Sequence, residues 1–479
     1  MGGPRQHGQD RFRHTIRAIA AMIFAGFASI AGHAQAQTLP EVLQATGRSN
    51  PRLEADRARQ RATEEEIARA KSGFWPSVNA SAEIGYRREE TSPATAGRVE
   101  TNPKGVSITA TQPVFSGFRT VNAVRRAEAV VRAGKQALRI TEQDVLLEAA
   151  SAYADVVRDQ AIVRLRESNV AILTRDLEAT RARFQAREVT RTDVAQAEAR
   201  RVMSLSDLEA ARAALRSSRA SFERVVGTPP GKLSNPKPPV ADIPATLPRA
   251  VEIARREHPR VLQAAQNEEA ARLAVDIIRG ELLPTVSIEA RYQKNSDPSP
   301  LLEDAESATV MGRVTVPIYP DGGEVYARIR QAKHTHLQSL QLVSQERADA
   351  EARIVSVWSS YSAARDQLKA DRAHVAAARV ALSGVRQEER VGQRTLLDVL
   401  NAESEVLTAG IRLLTRQREE VVTGYTLLAA IGRLRAPEGE PASSAPSKAQ
   451  ANLRQWSNIR ISRPDSRDAK GAGRVAPKP

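Results

Sequence analysis

Three features of these 479 residues predict a mainly α-helical fold with transmembrane β-strands, built from a duplicated helix–strand–strand–long-hairpin repeat. The chain matches itself at an interval of just over 200 residues, the signature of an internal repeat. Each copy holds two short segments in which apolar and polar residues alternate, the period of a strand. Each then runs on without proline, from Val114 to Thr228 and from Asp321 to Ala436, which implies very long helices.

The first element is a secretory leader. Arg5, Arg11, Arg13 and Arg17 precede the apolar run Ala18 to Ile30, which is too short to cross a bilayer, and Ala34-Gln35-Ala36 supplies a small-x-small cleavage site. Residues 1–36 are therefore expected to be removed, leaving Gln37 as the first residue of a protein outside the cytoplasm. No later segment has 18 uninterrupted apolar residues, so no membrane-spanning helix is expected.

The two copies are placed at 37–227 and 248–432. Asn50-Pro51 matches His258-Pro259, and Trp75-Pro76 matches Leu283-Pro284. Pro113-Val114-Phe115 matches Pro317-Ile318-Tyr319, Thr192-Asp193-Val194 matches Leu397-Asp398-Val399, and Val226-Gly227 matches Ile431-Gly432. A Pro-rich linker, 228–247, separates them, and a basic Pro/Ser/Gly-rich tail, 433–479, with the composition of a disordered segment, follows.

Within each copy a charged, Ala-rich helix comes first, at 53–73 and 260–281. Strands follow: Val78, Ala80, Ala82, Ile84 and Tyr86 alternate with Asn79, Ser81, Glu83, Gly85 and Arg87, and Val106, Ile108 and Ala110 with Ser107, Thr109 and Thr111. The second copy repeats this with Val286, Ile288, Ala290 and Tyr292, then Val310, Gly312, Val314 and Val316; polar loops are expected at 88–103 and 293–306. In the proline-free stretches apolar residues recur every seventh position: Val156, Val163, Val170, Leu177 and Phe184, then Ile354, Tyr361, Leu368, Val375 and Leu382. A seven-residue repeat keeps facing a neighbour only when helices supercoil, so these are coiled-coil hairpins that turn near 185–190 and 391–395.

Composition removes several function classes. With no Cys there are no disulfides, no thiolate chemistry and no acylated N-terminal Cys. The net charge of +15 sits largely at the ends: the leader sets four Arg against Asp10, and the tail sets ten Lys/Arg against four Asp/Glu. The body between is close to balanced and offers no dense basic patch, so nucleic acid is not an expected partner. An enzyme reading finds no phosphate-cradling glycine loop, zincin motif or nucleophile elbow, and His334 and His336 point to different sides of a helix. No cofactor or metal is expected.

Four strands of about ten residues suit an outer-membrane barrel, with one face toward lipid and one toward water. Four cannot close alone, because every strand edge inside hydrocarbon must be paired, so the chain must oligomerise. The long helices are too polar to enter the membrane and extend below it.

Over 37–432 the residues resemble the TolC-like outer-membrane efflux proteins. The most specific segments are 189–199 (Val-Thr-Arg-Thr-Asp-Val-Ala-Gln-Ala-Glu-Ala) and 392–403 (Gly-Gln-Arg-Thr-Leu-Leu-Asp-Val-Leu-Asn-Ala-Glu), with the strand exits at 112–117 and 316–323. The resemblance implies a homotrimer, with a twelve-stranded barrel in outer-membrane lipid, a twelve-helix periplasmic barrel and a mixed belt around it. It implies a passive exit duct, for efflux or type I protein secretion, docked to a periplasmic adaptor and an inner-membrane transporter of ABC or proton-driven RND type. It places Asp398 and Asn401 at a periplasmic constriction, and Arg394, Thr192 and Asp193 in links that hold the tips shut. In the tip turns Arg187 stands where its duplicate has Gly392; a left-handed conformation there would cost Arg about 1 kcal/mol. Asp193 and Asp398 also stand where helix N-caps are expected. The alternative is a periplasmic coiled-coil adaptor or scaffold, which normally carries one hairpin and no amphipathic strands.

Overall fold

The computed structural model describes residues 37–90, 98–299 and 302–436, all within a unit that ends at Ala436. The expected leader and the tail beyond Ala436 lie outside these residues.

Each repeat opens with two helices in tandem. In the first, α1 (Leu39–Ser49) and α2 (Pro51–Lys71) are separated by Asn50. The Asn50 side chain accepts from the backbone N–H groups of Arg52 and Leu53, satisfying donors that a helix start leaves orphaned, and Pro51 occupies the first turn, where a missing N–H costs nothing. Its Nδ2 donates to the carbonyl of Val225 at 2.8 Å, tying the break to the end of the first hairpin. The physical basis of the Asn50-Pro51/His258-Pro259 repeat is this pair of stops. The helices that precede them, α1 and its duplicate, lie outside the predicted spans.

Strands follow: β1 (Ser77–Ile84), the short hairpin β2 (Arg87–Glu90) and β3 (Arg98–Thr101), and β4 (Lys104–Ser116). Then come α3 (Arg119–Gln185) and α4 (Arg191–Val226). The second repeat gives α5 (Leu247–Glu257), α6 (Pro259–Arg279), β5 (Thr285–Ser299), β6 (Leu302–Thr315), α7 (Glu324–Arg390) and α8 (Leu396–Ala430). At 67 residues each, α3 and α7 are about 100 Å long. No helix among the described residues is long and apolar enough to cross a membrane.

In α5–α6 the stop is His258, whose Nδ1 accepts from the Arg260 N–H at 3.2 Å. Burial, reinforced by the charges of Arg353 and Arg260, lowers its pKa from 6.5 to about 4, so the ring is a neutral acceptor. A lowered imidazole value means stability that is complete above pH 6.5 and is lost as pH falls toward about 4. His258→Asn, which copies the Asn50 cap without the titrating ring, should flatten this acid limb in thermal melts between those two pH values.

β1, β4, β5 and β6 form one antiparallel sheet in the order β1-β4-β5-β6, joined across the repeats by β4–β5. The register keeps the two faces distinct. Val78, Ala110, Ala290 and Val310 form one cross-strand row, while the neighbouring row, Asn79, Thr109, Arg291 and Thr309, points to the other side. Apolar residues are solvent-facing in the isolated chain, Val310 at 76 % exposure, as expected of a surface made for lipid. The polar loops expected at 88–103 and 293–306 are partly strand instead. β5 and β6 stay paired as far as Ser299 and Leu302, since an antiparallel ladder pairs its backbone whatever its side chains are; residues 91–97 and 300–301 of these expected loops lie outside the described residues. Pro113, which has no N–H to donate, sits at a register shift in β4.

The helices joined to the strands pack in the same order, α2 on α3, α3 on α6 and α6 on α7. At the junction Phe74, Trp75, Phe118 and Tyr319 are exposed, an aromatic girdle of the kind found at a membrane boundary. The main core lies lower, where both hairpins meet α1 and α5: Leu43, Leu146, Tyr153, Phe222, Ile253, Leu427 and Ile431 are buried together. The Tyr153 hydroxyl reaches the carbonyls of Gln37 and Ser234 at 2.7 and 2.8 Å, holding the linker against the start of the first repeat. Leu434 also joins this core, Ala436 packs against it and Arg433 pairs with Glu257 at 3.1 Å, so packing continues four residues beyond 432.

Candidate functional site

The heptad seam holds the hairpins together and stops short of their ends. Val156, Val163, Leu177, Ile354, Tyr361, Leu368 and Val375 are buried, and Val170 and Leu382 are half-buried. Phe184, the last position of the first seam, is 44 % exposed. Beyond it Val399 and Leu400 of α8 are still buried, and polar contacts join them in holding the hairpins together.

The two tip turns share one geometry. The Arg187 N–H donates to the Phe184 carbonyl and the Glu188 N–H to the Arg183 carbonyl; Gly392 with Glu389, and Gln393 with Glu388, repeat the pattern, each bond at 2.9 Å. Arg187 takes φ +62° and Gly392 φ +77°, so the position does require a left-handed backbone and Arg187 bears the steric cost. Despite the Arg for Gly difference, the first turn is shaped like the second.

The N-caps are Thr190 and Thr395, and Asp193 and Asp398 stand three residues on, each closing a capping box on its own helix. Asp193 Oδ2 accepts from the N–H and hydroxyl of Thr190, whose Oγ1 accepts from the Asp193 N–H. Thr395 and Asp398 form the same box, with the Thr395 N–H 3.0 Å and its hydroxyl 2.8 Å from Asp398 Oδ2. The backbone and then the hydroxyl hydrogen bond of Thr395 hold the Asp398 carboxyl below its usual range, so it is an exposed carboxylate at neutral pH. Arg394 pairs with Glu388 of its own hairpin at 3.0 Å. Thr192 is exposed, with no side-chain partner among the described residues.

Farther from the tips Arg418 of α8 pairs with Asp155 of α3, and near the tips two contacts join hairpin to hairpin. Arg183 Nη1 meets Glu389 Oε1 at 2.6 Å, linking α3 to α7, and Arg200 Nη2 donates to Asn401 Oδ1 at 2.9 Å, linking α4 to α8. Of the residues singled out in the sequence, only Asn401 takes part in such a link within one chain. Arg183, Glu389 and Arg200 were not singled out. A signal was present for Glu389: it stands seven residues after Leu382, a charged residue at the next seam position. Among the described residues no group of three or more His, Asp or Glu side chains is placed to hold a metal ion. The geometry is that of two stiff rods latched by a few polar contacts at their free ends.

A family model described as outer membrane efflux protein matches residues 42–228 and 250–433, one segment for each repeat. The chain is 36 % identical to the outer membrane efflux protein BepC of Brucella suis over 420 residues, covering 88 % of this chain and 90 % of that one. It is 24 % identical to the outer membrane protein TolC of Escherichia coli, covering 87 % and 86 %. Its fold is similar to the Campylobacter jejuni CmeC outer membrane channel, with a TM-score of 0.73 at 14 % identity over 88 % of this chain and 89 % of that one.

Proposed function

We propose, given that this chain belongs to the outer membrane efflux protein family and is an exit duct through the outer membrane, that its hairpin tips are the gate of the periplasmic entrance. Three copies join β6 of one to β1 of the next, and twelve strands close the cylinder that four leave open. The helices continue it into the periplasm as twelve coiled-coil rods. The duct is passive: a periplasmic adaptor and an inner-membrane transporter load it.

The observation that carries the gate is the pair of polar contacts, Arg183–Glu389 and Arg200–Asn401, that join hairpin to hairpin where the heptad stripes of α3 and α7 run out. Arg183–Glu389 is a partly exposed ion pair and Arg200–Asn401 a single hydrogen bond, contacts worth about 1 kcal/mol each, so an adaptor pressing on the rods can break them. Asp398 and Asn401 of three chains border the opening and favour cations there. Arg394, Thr192 and Asp193 link neighbouring chains in the same ring. Arg183→Ala and Glu389→Ala should each raise single-channel conductance in planar bilayers several-fold, with Arg394→Ala and Asp193→Asn acting in the same direction. Wild-type conductance in all four variants would count against the gate.

The domain bounds read from the sequence complete the proposal: a leader ending at Ala36, repeats at 37–227 and 248–432, a linker at 228–247 and a tail from 433. Gln37 is already anchored, its N–H donating to the Lys232 carbonyl at 2.8 Å, which supports it as the first mature residue.

A further inference from the structure

Above the tips, α3, α7 and α8 enclose a pair of carboxyls that the gate does not use. Glu403 on α8 has a side chain only 5 % exposed; its Oε1 accepts from Arg386 Nη2 of α7 at 2.5 Å, and its Oε2 is buried with no donor. Asp176 on α3 also has an oxygen, Oδ2, buried with no donor. Both carboxyls line one cleft between the hairpins. Ionised carboxylates only accept hydrogen bonds, so two of them turned together in the interior repel unless one carries a proton that it donates to the other.

We propose that Asp176 and Glu403 form a proton-binding site joining the first hairpin to the second, and that loss of the shared proton drives α3 and α8 apart. Its effect on channel opening rests on the gate read above; its proton binding does not.

The surrounding charges support one proton per pair. The cleft, about 440 Å³, is lined on α3 by Arg175 and Arg183, on α7 by Arg386, Glu389 and Arg390, and on α8 by Glu403 alone among charged groups. Arg183 is engaged by Glu389. On α4 the nearest charges, Arg200 and Arg201, are held by Asn401 and Thr174. Arg386 therefore pairs with one buried carboxylate, while Arg175 acts on Asp176 only from an exposed position without pairing with it, and Arg390 is exposed at the rim. Burial, the larger influence, raises both carboxyls above their ordinary 3.8 and 4.5, while Arg386 pulls the other way. The sign follows: the joint is fully held below those ordinary values and loosens as pH rises through the raised one.

The chain has no Cys, so Ala182→Cys and Ser404→Cys, both at exposed positions, place spin labels on α3 and α8 of the full-length trimer in lipid vesicles. Raising the pH should convert a short inter-label distance to a longer one, the ratio changing by up to about tenfold per pH unit within the window. A protonated-carboxyl band should appear in infrared spectra of the wild type. Glu403→Gln and Asp176→Asn should each remove the band and leave the distance constant with pH, while the trimer still elutes intact. A wild type without that band, or variants whose distances follow pH as the wild type does, would overturn the proposal. Distances that track pH while conductance does not would uphold the proton site and sink the gate. Constant wild-type distances, with conductance raised by Glu389→Ala, would do the reverse.

Discussion

Val310→Arg should all but eliminate assembled protein from the outer membrane, while Thr309→Arg, one residue away, should be inserted normally. The two side chains stand on opposite faces of β6: Val310 lies in the row with Val78, Ala110 and Ala290, and Thr309 in the row with Asn79, Thr109 and Arg291. The second row already accommodates an arginine, which marks it as the watered face. On the first, an arginine near the middle of the hydrocarbon layer costs about 2–4 kcal/mol, and a trimer bears that cost three times. Quantifying heat-resistant trimer in outer-membrane fractions checks it. Equal recovery of both variants would mean that the faces have been assigned the wrong way round or that no lipid meets this sheet.

The second large effect is expected at Gly117. It takes φ +64°, and an added Cβ would lie 2.3 Å from the carbonyl oxygen of Gly280. Gly280 returns the contact, since its own Cβ would lie 2.4 Å from the Gly117 carbonyl oxygen. The backbone leaving β4 thus touches the backbone entering β5, and this is where the two repeats are pressed together. A side chain here adds overpacking to left-handed strain, about 3 kcal/mol or more together. Gly322 separates the two contributions: it also has positive φ, +59°, but nothing lies within 4 Å of its Cβ position. Gly117→Ala should therefore lower the melting temperature of the trimer far more than Gly322→Ala, and equal shifts would show that conformation alone is at stake.

Much of this fold is legible because its elements are local and long. A seven-residue stripe, a two-residue alternation and an absence of proline each report on neighbours within a few turns, and α3, α4, α7 and α8 begin and end within a few residues of where those patterns place them. The Thr–Asp boxes at both tips follow from cap chemistry that spans four residues. What stays hidden is contact between the copies. Gly117 looks like a mere strand–helix spacer until Gly280 is set against it. Asp176 and Glu403 sit in charged helices where any single carboxyl looks solvated, and only the packing of three helices removes their water. The ends of α1 and α5 are obscured for another reason. A cap and a proline in the middle of a helical stretch are readily taken as its start, and here they divide two consecutive helices.

The twin caps at the tips have a mechanical consequence. Because each U-bend is fastened by its own reciprocal hydrogen bonds, neither bend offers slack, and a force applied there is passed undamped along a lever about 100 Å long. Compliance is left to the seams beside the levers, so the aperture should widen as the tines of a fork spread, with each tine keeping its shape.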